Sequence, residues 1–137
     1  MRNLILLLFT AGIFFTANAQ ESDYQLVEQT LNYYMEGGTN NDFNTLKKAF
    51  HETATMKYIT KEGYKEVNAL EFFSGMDASK PKSNRKNRIA EITISGHAAN
   101  ARLELEYENF TFVDYMNLLK VDGEWKIVSK IFYKRVD

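Results

Sequence analysis

Cysteine is absent from the 137 residues of this chain, and proline occurs once. The first absence excludes disulfides and thiol chemistry, and the second favours long regular elements over rigid loops. Neither sign of charge is in clear excess, because the chain has 17 basic and 18 acidic residues. A domain so close to neutral has no general attraction for nucleic acid or for an anionic membrane, so neither is predicted as a partner.

Metal-binding patterns are missing as well. The two histidines, His51 and His97, lie far apart in the sequence, and no His-x-x-x-His pair is present. Metal sites need several such ligands brought together, so we predict no metal. No glycine-rich phosphate-binding motif is found either, and no cofactor is predicted.

A long hydrophobic run occurs at the N-terminus. Arg2 precedes an almost wholly apolar stretch, residues 4–15, and Ala17-Asn18-Ala19 then has the small residues of a cleavage site. The run is shorter than the roughly 20 residues that cross a bilayer. We therefore predict a signal peptide over residues 1–19, cleaved near Ala19-Gln20. The remaining residues 20–137 would form one exported domain, periplasmic or extracellular, without a membrane anchor.

Helical patterns occupy the first half of this domain. Ser22 and Gln25 form a predicted capping box, and Gly37-Gly38 is expected to end the helix that they begin. Asn40-Asn41-Asp42 offers the cap of a second helix, and Asn68 the cap of a third. A short strand over residues 54–60 is expected between these two helices, and a polar, basic loop over residues 76–87, predicted to be a solvated connection, follows them.

The second half is typical of a β-meander, with strand patterns over residues 89–95, 98–107, 110–121 and 124–136. The last turn is Asp122-Gly123, the strongest short-range signal for a hairpin with a type I′ turn. Helices first and an antiparallel meander afterwards predict an α+β fold, with the helices packed on one face of a curved sheet.

The turns also predict which face each strand residue occupies. If two-residue loops close both hairpins, Asp114 pairs with Leu103 on one side and with Ile131 on the other. Directly opposed residues project from the same face, so Asp114 is predicted on the apolar face with Phe112 and Met116. Burying an ionised carboxylate costs roughly several kcal/mol. Asp114 is therefore expected to be partnered, to be protonated, or to line a wet cavity.

Three functions are compatible with this pattern. In the first, the domain binds a small hydrophobic or aromatic ligand between helices and sheet. In the second, it is an enzyme in which Asp114 is the general acid–base, its pKa raised by apolar surroundings, and His51 is a second such group. In the third, it is a non-catalytic association module. The predicted ligand-binding residues are Tyr34, Phe50, Tyr58, Phe72, Leu103, Tyr107, Phe112, Met116, Trp125, Ile131 and Tyr133.

The opposite face of the last hairpin favours a homodimer. Apolar side chains are predicted on it, and an exposed apolar patch of this kind marks an interface. The predicted interface residues are Tyr115, Leu119, Val128, Lys130 and Phe132.

Residues 113–130, with Val113-Asp114-Tyr115 and Asp122-Gly123-Glu124-Trp125, resemble the C-terminal signature of a bacterial family called "putative lumazine-binding". This family is a branch of the nuclear-transport-factor-2-like, or SnoaL-like, superfamily. Asn41-Asp42-Phe43 and Phe50-His51 agree with its N-terminal half, so the resemblance covers residues 20–137. It implies a cystatin-like cone, in which three N-terminal helices and a strongly bent antiparallel sheet enclose an apolar pocket, and homodimers through the outer sheet face. The superfamily includes isomerases, dehydratases and hydrolases, so the resemblance implies such an activity as the alternative to simple binding.

Overall fold

The computed structural model describes residues 21–136, and the predicted signal peptide lies outside the described residues. The helices are α1 (Asp23–Asn40), α2 (Phe43–Leu46) and α3 (Ala69–Phe73), with a 3-10 turn over Lys47–Ala49. The strands are β1 (Phe50–Thr60), β2 (Gly63–Asn68), β3 (Lys86–Ser95), β4 (Ala98–Glu106), β5 (Phe110–Val121) and β6 (Glu124–Val136). None of these helices is long and apolar enough to cross a membrane.

Side-chain caps begin all three α-helices at the predicted positions. Ser22 and Gln25 make both bonds of a capping box at α1. The side chains of Asp42 and Asn68 each accept a backbone N–H from the first turn of α2 and α3. These bonds satisfy amides that have no partner inside a helix. The predicted starts of the helices are confirmed.

The predicted end of α1 at Gly37-Gly38 is wrong, because the helix continues beyond the two glycines and is capped by Asn41 with a φ of 55°. The glycines instead permit close packing. A Cβ on Gly37 would lie 2.5 Å from the backbone nitrogen of Leu46, and a Cβ on Gly38 would lie 2.5 Å from a guanidinium nitrogen of Arg85. Glycine at both positions therefore lets α2 and the segment before β3 lie directly against α1.

All six strands form one sheet in the order β2-β1-β6-β5-β4-β3, in which β1 and β6 run parallel and the other neighbours run antiparallel. The helices cover one face, where Val27, Leu31 and Leu46 pack with strand residues such as Leu103 and Ile127 in a single core. The predicted α+β fold, with helices on one face of the sheet, is confirmed. Strand β2 and the parallel pair are features that the sequence pattern did not predict.

Turn chemistry sets the pairing of the last strands as predicted. Asp122 and Gly123 both have positive φ angles, 50° and 83°, as a type I′ turn requires. All β4–β5 pairs keep the predicted register, which puts Leu103 opposite Asp114.

A bulge at Val128 breaks the predicted register of the last hairpin. Strand β6 pairs as predicted from the turn to Ile127, but Asn117 of β5 then pairs with Ser129, so Val128 has no partner on β5. One extra residue in a strand moves every later side chain to the opposite face, relative to uninterrupted pairing.

The faces of β6 are therefore exchanged beyond the bulge. Lys130 and Phe132, predicted at the outer interface, face the core, and Phe132 rather than Ile131 is opposite Asp114. Ile131 and Tyr133, predicted in the pocket, are 51% and 68% exposed on the outer face. These four placements were wrong because both faces of β6 carry a mixture of apolar and polar residues, so alternation alone does not reveal the bulge.

The outer sheet face keeps Tyr115 and Leu119, both exposed, and Val128 is half-buried at the bulge. Ile131 and Tyr133 now join this surface. The homodimer through this face stays a prediction, and sedimentation equilibrium showing a monomer at all concentrations would contradict it.

Candidate functional site

A cavity of about 520 Å³ opens between α1, α3 and the inner face of the sheet. This volume lies within the range of ordinary ligand sites, roughly 300–1,000 Å³. Its walls combine six aromatic side chains with six polar or charged ones. The residues that line it are Tyr34, Gly38, Asn41, Met56, Phe72, Phe73, Gly75, Met76, Asp77, Lys80, Ser83, Arg85, Leu105, Tyr107, Phe112, Lys130 and Phe132.

Three polar side chains from distant parts of the chain meet beneath this cavity. The hydroxyl of Tyr34 donates to Oδ2 of Asp114 at 2.6 Å and accepts from Nζ of Lys130 at 2.8 Å. Nζ also lies 3.2 Å from the same Oδ2. Asp114 is fully buried and does not line the cavity, whereas Tyr34 and Lys130 do. Of the three expectations for Asp114, the partnered one therefore holds for Oδ2, whereas Oδ1 is buried without a hydrogen-bond partner among residues 21–136. A ligand would meet Lys130 and Tyr34.

Aromatic rings surround the ammonium group of Lys130. Its Nζ lies 4.6 Å from the ring centre of Phe132, 5.1 Å from that of Tyr34 and 5.8 Å from that of Phe73. Cation–π attraction and the Asp114 carboxylate together compensate for lost hydration. An ammonium has three N–H donors. Two are used by Tyr34 and Asp114, so one remains, and Lys130 lines the cavity.

Burial changes the proton affinities of this network. It lowers the pKa of the Lys130 ammonium, and although the Asp114 carboxylate opposes this change, the Arg85 guanidinium adds to it. Burial also raises the pKa of the Tyr34 phenol well above its ordinary value, and the negative charge of Asp114 raises that pKa further. Tyr34 therefore keeps its proton in the folded state, and Lys130 gives up its proton more readily than a solvated lysine.

Tyr34 should make the folded protein less stable in alkaline solution. Its pKa is near 10.0 in the unfolded chain and higher in the folded one, so the folded state binds more protons above that pH. The stability that Tyr34 contributes is then complete below pH 10.0 and is lost as the pH rises through the folded-state value. Urea unfolding from about pH 9 to about pH 12 measures this slope. Tyr34→Phe should flatten it and Tyr133→Phe, on the outer face, should not; equal slopes for wild type and Tyr34→Phe would contradict this assignment.

Arg85 brings a second cation to the cavity, from the segment predicted to be a solvated connection. Its Nε donates to Oγ1 of Thr39, its Nη2 to the carbonyl oxygen of Met35 and its Nη1 to the hydroxyl of Tyr107, each at 3.0 Å. Among residues 21–136, no carboxylate forms an ion pair with this guanidinium. Arg85 is thus a fixed, partly buried charge without an ion-pair partner among residues 21–136.

Four of the predicted ligand-binding residues, Tyr34, Phe72, Tyr107 and Phe112, line the cavity. Tyr58 and Phe50 lie behind the lining. The ring of Tyr58 stacks on Phe132 with centres 5.0 Å apart, and the ring of Phe50 packs edge-on against Tyr34 at 5.7 Å.

The other predicted ligand-binding residues lie elsewhere. Leu103 and Met116 are fully buried in the core. Trp125 lines a second cavity of about 330 Å³, and its indole nitrogen donates to Asp23 at 3.0 Å. Ile131 and Tyr133 are on the outer sheet face, because the bulge at Val128 precedes them.

The structure does not bring the predicted acid–base residues together. His51 lies at the start of β1, where its Nδ1 accepts the backbone N–H of Thr53 at 3.2 Å, and it does not line the cavity. Asp114 bonds to Tyr34 and Lys130 instead. Within the described part of the chain, no cluster of three or more His, Asp or Glu side chains is placed to hold a metal.

Thirteen of the seventeen lining residues were not predicted, and for three of them, Lys130, Phe132 and Arg85, the reason is physical. Lys130 and Phe132 were assigned to the wrong face because of the bulge. Arg85 is one of several basic residues in a polar segment, and nothing in that segment distinguishes it. The Gly37-Gly38 pair, placed against Leu46 and Arg85, is the one local signal that another element approaches α1 closely.

Comparisons with known proteins cover nearly all of this fold. A family model described as "Putative lumazine-binding" matches residues 22–133. An NTF2-like protein of unknown function from Shewanella baltica is 32% identical with a TM-score of 0.75, over 83% of this chain and 94% of that one. A second, from Methylobacillus flagellatus, is 30% identical with a TM-score of 0.73, over 87% and 97%. "Aldolase FrzH" of a Cladobotryum species is 25% identical over 114 residues, which are 82% of this chain and 91% of the relative. The family match begins at the N-cap of α1 and ends within β6.

Proposed function

Because this chain belongs to the "Putative lumazine-binding" family of NTF2-like proteins, we propose that it binds a small aromatic or apolar molecule in the cavity between α1 and the sheet. The observation that carries the proposal is the aromatic cavity of about 520 Å³ with Lys130 and Tyr34 at its inner end. We further propose that the domain acts after export, as residues 1–19 predict. A mature N-terminus other than Gln20 in the exported fraction would contradict that cleavage site.

The cavity offers both parts of a ligand site. Apolar surface comes from side chains such as Phe73, Phe112 and Phe132, and Phe72, 52% exposed, adds a ring at the opening. Ring stacking and apolar burial supply affinity, whereas a few fixed polar groups supply orientation. The remaining N–H of Lys130 would donate to a carbonyl oxygen or a ring nitrogen of the bound molecule.

Binding fits the geometry better than catalysis by Asp114. Asp77 is the one carboxylate among the described residues that line the cavity, and both a hydroxyl and an amide of Ser79 bond to it in an exposed turn. Asp114 lies behind Tyr34 and Lys130. A general base must reach the proton that it removes, directly or through one water. No carboxylate at the inner end of this cavity meets that requirement.

Filling the cavity should weaken binding strongly. The neutral aromatic ketone 2-tetralone is a suitable probe, and isothermal titration calorimetry would measure its affinity. Met76 lines the cavity, so Met76→Trp should weaken binding by about tenfold or more, since indole bulk takes the volume that the probe needs. Ile59→Trp, at a position 75% exposed on β1, is the matched control and should leave the affinity unchanged. Equal affinity for wild type and Met76→Trp would overturn the proposal.

Acid–base chemistry on a carbonyl compound is the second candidate. Lys130 and Tyr34 form a connected proton network that ends in the cavity, and donors fixed in a dry site stabilise an oxyanion. The aldolase relative, 25% identical, agrees with such a role. The same samples in D₂O decide the matter by NMR. If the protein is an enzyme, the wild type should exchange the protons next to the carbonyl of 2-tetralone for deuterium faster than Met76→Trp does. If the protein only binds the ketone, the two exchange rates should be equal.

A further inference from the structure

We propose that the natural ligand carries a carboxylate, and that this group pairs with Arg85 at the side of the cavity. The proposal rests on the binding function above and specifies the chemical class of the molecule. It goes beyond an apolar or aromatic ligand, because it requires a negative charge at one fixed place.

The charges around the cavity favour an anionic ligand. Three cationic side chains line it, Lys80, Arg85 and Lys130, against one lining carboxylate, Asp77. Asp114 compensates Lys130 from behind. The site therefore keeps an excess of one positive charge in a chain whose formal net charge is −1. A partly buried guanidinium without a counter-charge is costly, and an anionic ligand would remove that cost.

The fixed orientation of Arg85 suits a carboxylate. A guanidinium has five N–H donors, and three of them bond to Thr39, Met35 and Tyr107. One N–H on each terminal nitrogen remains. Two such donors match the two oxygens of a carboxylate, and charge-assisted pairs of this kind are among the stronger hydrogen bonds in proteins. Because Gly38 has no Cβ, the guanidinium can rest against α1 in this position.

Aromatic contacts determine what else the ligand must be. Tyr107 lies beside the guanidinium, whose carbon is 5.8 Å from its ring centre, and it also lines the cavity. Its ring stacks on Phe110 at 4.6 Å and meets Phe112 edge-on at 6.0 Å. A carboxylate on Arg85 thus places the attached carbon skeleton against the aromatic wall. The structure points to an aromatic or apolar acid.

Two probes of nearly equal shape test this inference, 2-naphthoate, which is ionised at neutral pH, and its neutral amide, 2-naphthamide. Wild type should bind the acid at least about tenfold more tightly than the amide, since charge-assisted bonds exceed neutral ones by that order. Arg85→Gln should remove this preference and leave the affinity for the amide within about twofold. Lys82→Gln, which removes a cation of the same segment outside the cavity, should keep the preference.

The other outcomes distinguish a failure of the carboxylate proposal from a failure of the binding function. Equal affinity of wild type for both probes would overturn the carboxylate while leaving the binding function in place. If Arg85→Gln is folded, as thermal unfolding would show, and loses affinity equally for both probes, Arg85 has a purely structural role. That result would also overturn the proposed carboxylate. Should Arg85→Gln not fold, Arg85→Lys keeps the charge without the paired donors, and an unchanged preference in that variant would refute the proposed geometry. Failure of wild type to bind either naphthalene probe or 2-tetralone would instead refute the binding function itself.

Discussion

Replacing Asp114 with alanine should lower the free energy of unfolding by about 3–5 kcal/mol, the usual cost of removing one partner of a buried ion pair. The substitution leaves the ammonium of Lys130 in the core without its carboxylate, and the hydroxyl of Tyr34 loses its acceptor. Urea unfolding at neutral pH measures the loss. Glu124→Ala is the control, because it removes an exposed partner of Lys126 and should cost less than about 1 kcal/mol. Similar costs for the two variants would show that the buried network does not stabilise the fold.

A double substitution separates stability from function at the same place. Asp114→Leu combined with Lys130→Met replaces the ion pair by apolar side chains of comparable size. Such replacements are often neutral or stabilising by about 1–4 kcal/mol, so most of the loss seen in Asp114→Ala should be recovered. The affinity for 2-tetralone should nevertheless fall, because the N–H that Lys130 presents to the cavity is gone. Unchanged affinity would exclude Lys130 from the site.

Phe132→Lys should destabilise the domain by about 3 kcal/mol, comparable with the loss of a large aromatic side chain from a core. It removes the ring that stacks on Tyr58 at 5.0 Å and meets Phe112 edge-on at 5.6 Å. It also introduces a second ammonium close to that of Lys130, which lies 4.6 Å from the centre of this ring. The free energy of unfolding in urea gives the comparison.

The neighbouring substitution Ile131→Lys is the matched control. Ile131 is 51% exposed on the outer face, so the change should stay within about 0.5 kcal/mol. Uninterrupted pairing of the last hairpin predicts the reverse order, with position 131 in the core and position 132 outside. A larger loss for Ile131→Lys than for Phe132→Lys would therefore contradict the bulge at Val128.

Local chemistry determined how much of the fold could be predicted. Ser22, Asp42 and Asn68 act on amides within one helical turn, and Asp122-Gly123 fixes the φ angles of its own turn. Features of this kind depend on short sequence distances, so the sequence reveals them. The end of α1 was missed because the role of Gly37-Gly38 depends on contacts with Leu46 and Arg85.

The candidate site was predicted less well, because its geometry depends on one unpaired residue. The hairpin turns correctly put Asp114 on the inner face, and Tyr107 and Phe112 of the cavity followed from the same alternation. The bulge at Val128 then exchanged Lys130 with Ile131 and Phe132 with Tyr133. A bulge changes the hydrogen-bond pattern without requiring a characteristic residue, so only the pairing in three dimensions locates it.

The central place of β6 in the sheet has a kinetic consequence. This strand lies between β1 and β5, and its residues bond to α1 across the whole domain, Trp125 accepting from Thr30 and Lys130 donating to Tyr34. Contacts so distant in sequence form slowly, because the chain must first lose the entropy of closing a long loop. During synthesis, β1 at first lacks its partner β6. We expect the core to stay open until β6 has left the ribosome. We therefore expect the domain to fold only after β6 is made.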